Sequence, residues 1–122
     1  MRTFTIERDK RLVVSHYTGV LTYSEVLAQW DEIRSHPNHD PTFNYLTDLT
    51  KVTDYKISTM ELKKLGKIED PFSLSSLRVV VAPTDLLFGM VRMYEFSGEL
   101  RHPKVYTVRT IEEALRILSG SS

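Results

Sequence analysis

The stretch Leu77–Phe96, LRVVVAPTDLLFGMVRMYEF, changes its apolar period halfway along. Leu77 to Ala82 is a nearly unbroken β-branched run, the pattern of a strand buried on both faces. After Pro83 and Thr84 the apolar residues recur at helical spacing, with Thr84 as the cap and an end near Gly98. A buried strand feeding a helix through two residues is half of a βαβ unit. This reading sets a layered α/β architecture and brings no catalytic signature with it.

Upstream, Thr3–Arg8 and Arg11–Thr18 read as two strands joined at Asp9-Lys10, an antiparallel hairpin, with Gly19 ending the second. Thr22-Tyr-Ser-Glu25 has the form of a capping box opening a helix whose Val26, Leu27, Trp30 and Ile33 share one face. Pro37 lies beyond its end. Phe43–Leu49 reads as a third strand. Ser58-Thr-Met-Glu61 is a second capping box, for a short helix with Leu62 and Leu65 inward; Gly66 is a candidate early stop. Pro103–Arg109 reads as a fifth strand, and Thr110-Ile-Glu-Glu113 as a third box. The order is β-β-α-β-α-β-α-β-α in one domain over residues 1–122, a five-stranded, mostly parallel sheet with right-handed crossovers.

Composition excludes several classes of function. Lys plus Arg and Asp plus Glu number 16 each, so no net field favours nucleic acid or an anionic membrane. The chain has no cysteine, which removes disulfides and thiolate chemistry. No apolar run approaches the ~20 residues of a membrane helix, so a cytoplasmic protein without membrane insertion is expected.

The order of elements resembles the SpoIIAA-like group of STAS domains, related to bacterial anti-sigma-factor antagonists and distantly similar to the lipid-binding CRAL-TRIO fold. The residues carrying the resemblance are Gly19-Val-Leu-Thr22, His36-Pro-Asn-His-Asp-Pro41, Leu46-Thr-Asp-Leu49, Phe88-Gly-Met-Val-Arg-Met-Tyr94 and Thr110-Ile-Glu-Glu-Ala-Leu115. The resemblance implies a SpoIIAA/STAS-like fold and a regulatory or ligand-binding role. It also exposes a departure. Where phosphorylatable relatives carry an Asp-Ser pair, this chain has Lys56-Ile57. Ser58 and Thr59 follow at a helix start that favours a phosphate, but a plain N-cap is the better reading of Ser58, so the phospho-switch is not carried over.

Other constellations compete with plain structure. His36, His39 and Asp40 have metal-ligand chemistry, yet Pro37 keeps the imidazoles off one helical face, and a stiff polar turn is the simpler reading. His16 or His102 with Asp48 has the residue types for acid–base catalysis but no motif around them. Gly89 inside a helix costs about 1 kcal/mol against Ala, which implies a use for close approach. Phe88, Met90, Met93, Tyr94 and Phe96 around it exceed the stripe that one helix needs, and Arg92 stands among them with Glu95 or Glu99 in reach. The loop Asp54-Tyr-Lys56 with Ser58 is a further candidate surface, and Asp48, Lys56 and Thr84 are expected near the C-terminal edge of the sheet, where α/β folds bind ligands.

The expectation is therefore a non-enzymatic interaction module without a cofactor. Its candidate binding residues are Phe88, Gly89, Arg92, Met93, Tyr94, Asp48, Lys56 and Ser58, and its partner a second copy or another protein. The alternative is a carrier or sensor of a small apolar ligand beside the third helix, which calls for a cavity of several hundred Å³. An acid–base enzyme is the third reading.

Overall fold

A computed structural model describes residues 1–98 and 104–120. Its elements are β1 (Arg2–Glu7), β2 (Leu12–Thr22), α1 (Tyr23–Ser35), β3 (Asn44–Lys56), α2 (Thr59–Lys67), β4 (Arg78–Val81), α3 (Asp85–Gly98), β5 (Val105–Val108) and α4 (Ile111–Leu118). The strands lie in the sheet in chain order. β1 is antiparallel to β2; β2 through β5 are parallel. The side chain of Phe96, and Glu99, His102 and Pro103, lie outside the described residues.

Three successive right-handed crossovers step in the same direction, so α1, α2 and α3 must all cover one face. The larger core lies there. It joins Val13 and Tyr17 of β2 to Trp30 and Ile33 of α1, Leu62 and Leu65 of α2, and Leu87, Met90 and Val91 of α3. The terminal helix α4 has no further strand to reach and folds onto the other face, where Ala114 meets Leu46, Val79, Val81 and Val108. All four residues of β4 are buried, as its β-branched run demands.

The N-terminal connection is longer than expected. A 3-10 turn at Arg8–Lys10 is closed by Arg11, which adopts the left-handed region at φ 52°, so the hairpin is not a two-residue one. Gly19 does not end β2. It sits inside the strand at φ +75°, at a register shift, and β2 runs on to Thr22. Gly66 likewise does not stop α2, which continues to Lys67.

β3 is the largest surprise. The expected Phe43–Leu49 strand is 13 residues long and outruns β4, which pairs with it only over Tyr45–Asp48. Beyond that point β2 and β3 form a two-stranded ribbon. From His16↔Asp48 to Thr18↔Lys51, and again from Gly19↔Val52 to Val20↔Asp54, β3 advances one residue more than β2. Such bulges bend a ribbon, and this one turns Leu21, Val52 and Ile57 onto the helix-covered core. Each bulge carries an aspartate that satisfies a local amide: Thr50 N donates to Asp48 Oδ1 at 2.8 Å, and Tyr55 N to Asp54 Oδ1 at 2.8 Å.

Only one of the three capping boxes closes in both directions. Ser58 Oγ accepts from Glu61 N at 3.1 Å, and Ser58 N donates to Glu61 Oε1 at 2.9 Å. Thr22 accepts from Glu25 N, but the Glu25 carboxylate turns instead to the N-terminal ammonium and Arg2. Thr110 accepts from Glu113 N, and the Glu113 carboxylate reaches Arg109 N and the Thr110 hydroxyl. Charged neighbours and a hydroxyl outcompete the N-cap amide at these two helices.

Candidate functional site

The expected cluster of site residues separates into four places. Asp48 lies on the half of the sheet that α4 leaves uncovered. Being acceptor-only, it takes a hydrogen bond from His16 Nδ1 at 2.9 Å through Oδ2, while Oδ1 accepts from the Thr50 hydroxyl at 2.6 Å. Partial burial opposes the Asp48 charge, but the hydrogen bonds from the Thr50 hydroxyl and amide and from His16 outweigh it and hold the carboxyl below its ordinary value. Lys56 and Ser58 are eight or more residues further on, at the ribbon tip, about 26 Å along an extended strand. They do not share an edge with Asp48 as expected. Ser58 is fully used as the α2 cap.

The His16–Asp48 pair thus acts as a tie across the first bulge, and its worth depends on pH. The folded pKa of Asp48 is depressed, so its contribution is present above the ordinary value of 3.8 and is lost as pH falls through the folded value. Asp48→Asn is expected to destabilise by about 1 kcal/mol at pH 7. The gap from wild type should narrow as pH falls below 3.8 and be smaller at pH 3 than at pH 7. Urea unfolding at the two pH values checks this, and a gap that is unchanged at pH 3 would refute the tie.

The α3 residues point in different directions. Leu86 and Met93 are 56% and 44% exposed, and the Gly89 between them is exposed too. A Cβ built on Gly89 meets nothing within 4 Å, so the close approach expected at this glycine is not made to this chain's own core. Phe88 instead lies under the Arg109 guanidinium at 4.3 Å, and Arg109 also pairs with Asp85 at 2.8 Å. Arg92 pairs with Glu95 at 3.6 Å. Glu95 also accepts a hydrogen bond from the Thr107 hydroxyl.

Met90, Val91 and Tyr94 turn inward. With Leu49, Leu62 and Leu65 they line a partly open cavity of about 80 Å³ between the sheet and the helices. Its floor is polar. Tyr17, Tyr45, Tyr94, Asp70 and Arg78 all contribute to it. Arg78, 4% exposed, forks onto Asp70 through Nε at 2.6 Å and Nη2 at 2.8 Å. Its other donors reach the carbonyls of Phe72, Ser73 and Ser76. The Tyr45 hydroxyl lies 2.7 Å from Ser15 Oγ, with Tyr17 and Thr47 close by. Gln29 Nε2 donates to Ser15 Oγ at 3.0 Å and to the Thr3 carbonyl at 2.7 Å. Burial pushes the phenols of Tyr17, Tyr45 and Tyr94 up, so all three stay protonated at neutral pH.

Sequence reasoning overlooked most of this floor. Arg78 stood inside a run read as nearly unbroken β-branched, and its charge was given no partner. A charge there needs a buried partner, which is the signal that could have found Asp70. Gln29, within the apolar stripe of α1 and fully buried, is a similar flag.

His36, His39 and Asp40 are engaged separately. His36 Nδ1 accepts from Asn38 N at 3.1 Å, His39 Nε2 donates to the Pro71 carbonyl at 2.6 Å, and Asp40 accepts from Thr42. Among the described residues no group of three metal-ligating side chains converges. No described helix is long and apolar enough to cross a membrane.

No protein-family model and no curated protein matches the sequence. Among solved structures, the chain is similar to an uncharacterised protein of the DUF3478 family with a SpoIIAA-like fold from Shewanella loihica PV-4. The identity is 18% and the TM-score 0.59, over 96% of this chain and 93% of that one. Five strands in a mixed sheet, three crossover helices on one face and a terminal helix on the other are therefore a SpoIIAA-like fold.

Proposed function

We propose that this SpoIIAA-like domain is a non-catalytic interaction module whose partner is a second copy of the chain, docking through α3. The observation that carries this reading is the exposed line Leu86–Gly89–Met93, at i, i+3 and i+7 on one helix face, with open space over the glycine. An interior helical glycine costs about 1 kcal/mol, and a backbone brought against a partner repays it. Equal numbers of acidic and basic residues let two copies approach without net repulsion. The His16–Asp48 pair supports the same non-catalytic reading, because one carboxylate oxygen is committed to the Thr50 bulge on an open pleated face.

Sedimentation equilibrium is expected to show reversible, concentration-dependent dimerisation. Leu86→Glu with Met93→Glu should weaken it at least about tenfold while leaving the thermal midpoint of the dilute protein unchanged. These side chains are exposed, and surface changes usually move stability by less than about 0.5 kcal/mol. A protein that stays monomeric at high concentration, or variants that associate as before, would rule the reading out.

A second reading is favoured by the cavity: the domain senses a small ligand held between α2, α3 and β3. At about 80 Å³ this space is far below the several hundred Å³ expected for a lipid carrier, so that alternative survives only for a compact ligand.

A further inference from the structure

The cavity's lining is selective in both charge and length, and the following rests on the second reading above. Its walls are aliphatic, from Leu49, Leu62, Leu65, Met90 and Val91. Among the described residues its only charged groups, Asp70 and Arg78, are forked onto one another, and Arg78 is also bonded to three loop carbonyls. Neither charge is offered to an occupant, so an ionised ligand entering here would lose its water without gaining a counter-ion. The Tyr45 hydroxyl, close to that of Tyr17, belongs to a hydrogen-bonded chain that continues through Ser15 to Gln29, whose Oε1 is buried without a partner among the described residues. Such a chain is polar yet uncharged along its whole length. The volume, about 80 Å³, is roughly half that of an engineered apolar cavity of ~150 Å³ that holds benzene.

We infer that the cavity between α2, α3 and β3 is a binding site for a small uncharged molecule, an aliphatic stub of a few carbons with one hydroxyl-like group set against Tyr17 and Tyr45. Charge is excluded by the closed Asp70–Arg78 fork, and length by the cavity volume. A long-chain lipid does not meet these terms.

Titration of the full chain with simple probes, followed by methyl NMR, tests each part. 1-Butanol is expected to give saturable shifts at Leu62, Met90 and Val91. Butyrate and butylammonium should bind at least about tenfold more weakly. 1-Octanol should gain none of the roughly fourfold per CH₂ that a roomy apolar site provides. Tyr17→Phe should weaken 1-butanol several-fold without changing 1-chlorobutane, which cannot donate a hydrogen bond. Tyr45→Phe gives the same comparison if Tyr17→Phe does not fold. Octanol binding far more tightly than butanol would overturn the length argument and indicate a lipid-like occupant. Equal binding of the ions would overturn the charge argument. No saturable shift from any probe would remove the ligand reading altogether, whereas dimerisation is scored separately by sedimentation.

Discussion

Arg78→Leu is expected to cost about 4 kcal/mol, the largest loss of any single substitution considered. Removing one member of a buried ion pair typically costs about 3–5 kcal/mol, because the other charge is left without a partner or water. Here Asp70, 8% exposed, would lose both bonds of the fork while it still accepts from the amide of Phe72 at 3.0 Å. The loss goes beyond one pair. Arg78 also holds the carbonyls of Phe72, Ser73 and Ser76, so it pins the α2–β4 connection to the cavity floor. Phe72, stacked on Tyr45 at 4.5 Å, would lose that anchor. Adding Asp70→Leu should recover part of the stability by removing the buried charge that Arg78 no longer neutralises, but not the part owed to the carbonyls. Urea midpoints of wild type, both single variants and the double variant test this as a cycle. An Arg78→Leu midpoint equal to wild type, or strict additivity in the double variant, would contradict the account.

Leu49→Ala is expected to cost about 3 kcal/mol, within the usual range for deleting a buried leucine. Leu49 is 2% exposed and sits where β3 leaves β4 and becomes the ribbon. It also lines the cavity. The surroundings cannot collapse onto the deleted volume easily, because an opening already lies beside it. The variant should therefore keep the wild-type slope of stability against urea while its midpoint falls. A loss below about 1 kcal/mol would mean that Leu49 is not packed as described.

Much of the fold could be read from residue order alone. The β-branched run Val79-Val80-Val81 announced a strand covered on both sides, and the shift to helical spacing after Thr84 announced α3. The caps Thr22, Ser58, Thr84 and Thr110 all accept the hydrogen bonds expected of them. These signals are local, because they depend on backbone period and on side chains reaching three residues along. The fit to a SpoIIAA-like architecture followed from their order.

The site was much less legible. The α3 residues taken as one cluster divide by direction: Gly89 and Met93 outward, in line with Leu86, which the sequence reading had not singled out; Phe88 under Arg109; and Tyr94 into the cavity. Asp48 and Lys56 looked adjacent to the same edge because β3 was read as ending at Leu49. Nothing in the run Thr50–Lys56 alternates cleanly, since two bulges break the period of two.

The amino-acid sequence by itself determined where strands and helices form and that the later strands run parallel. Those outcomes depend on propensity, apolar period and the handedness of short crossovers. Only the tertiary structure decided that three helices share one face and the last takes the other, that an arginine 8 residues from an aspartate closes on it inside the core, and that phenols from two strands and a helix meet at one cavity. Contacts of that kind join residues distant along the chain, and no local periodicity records them.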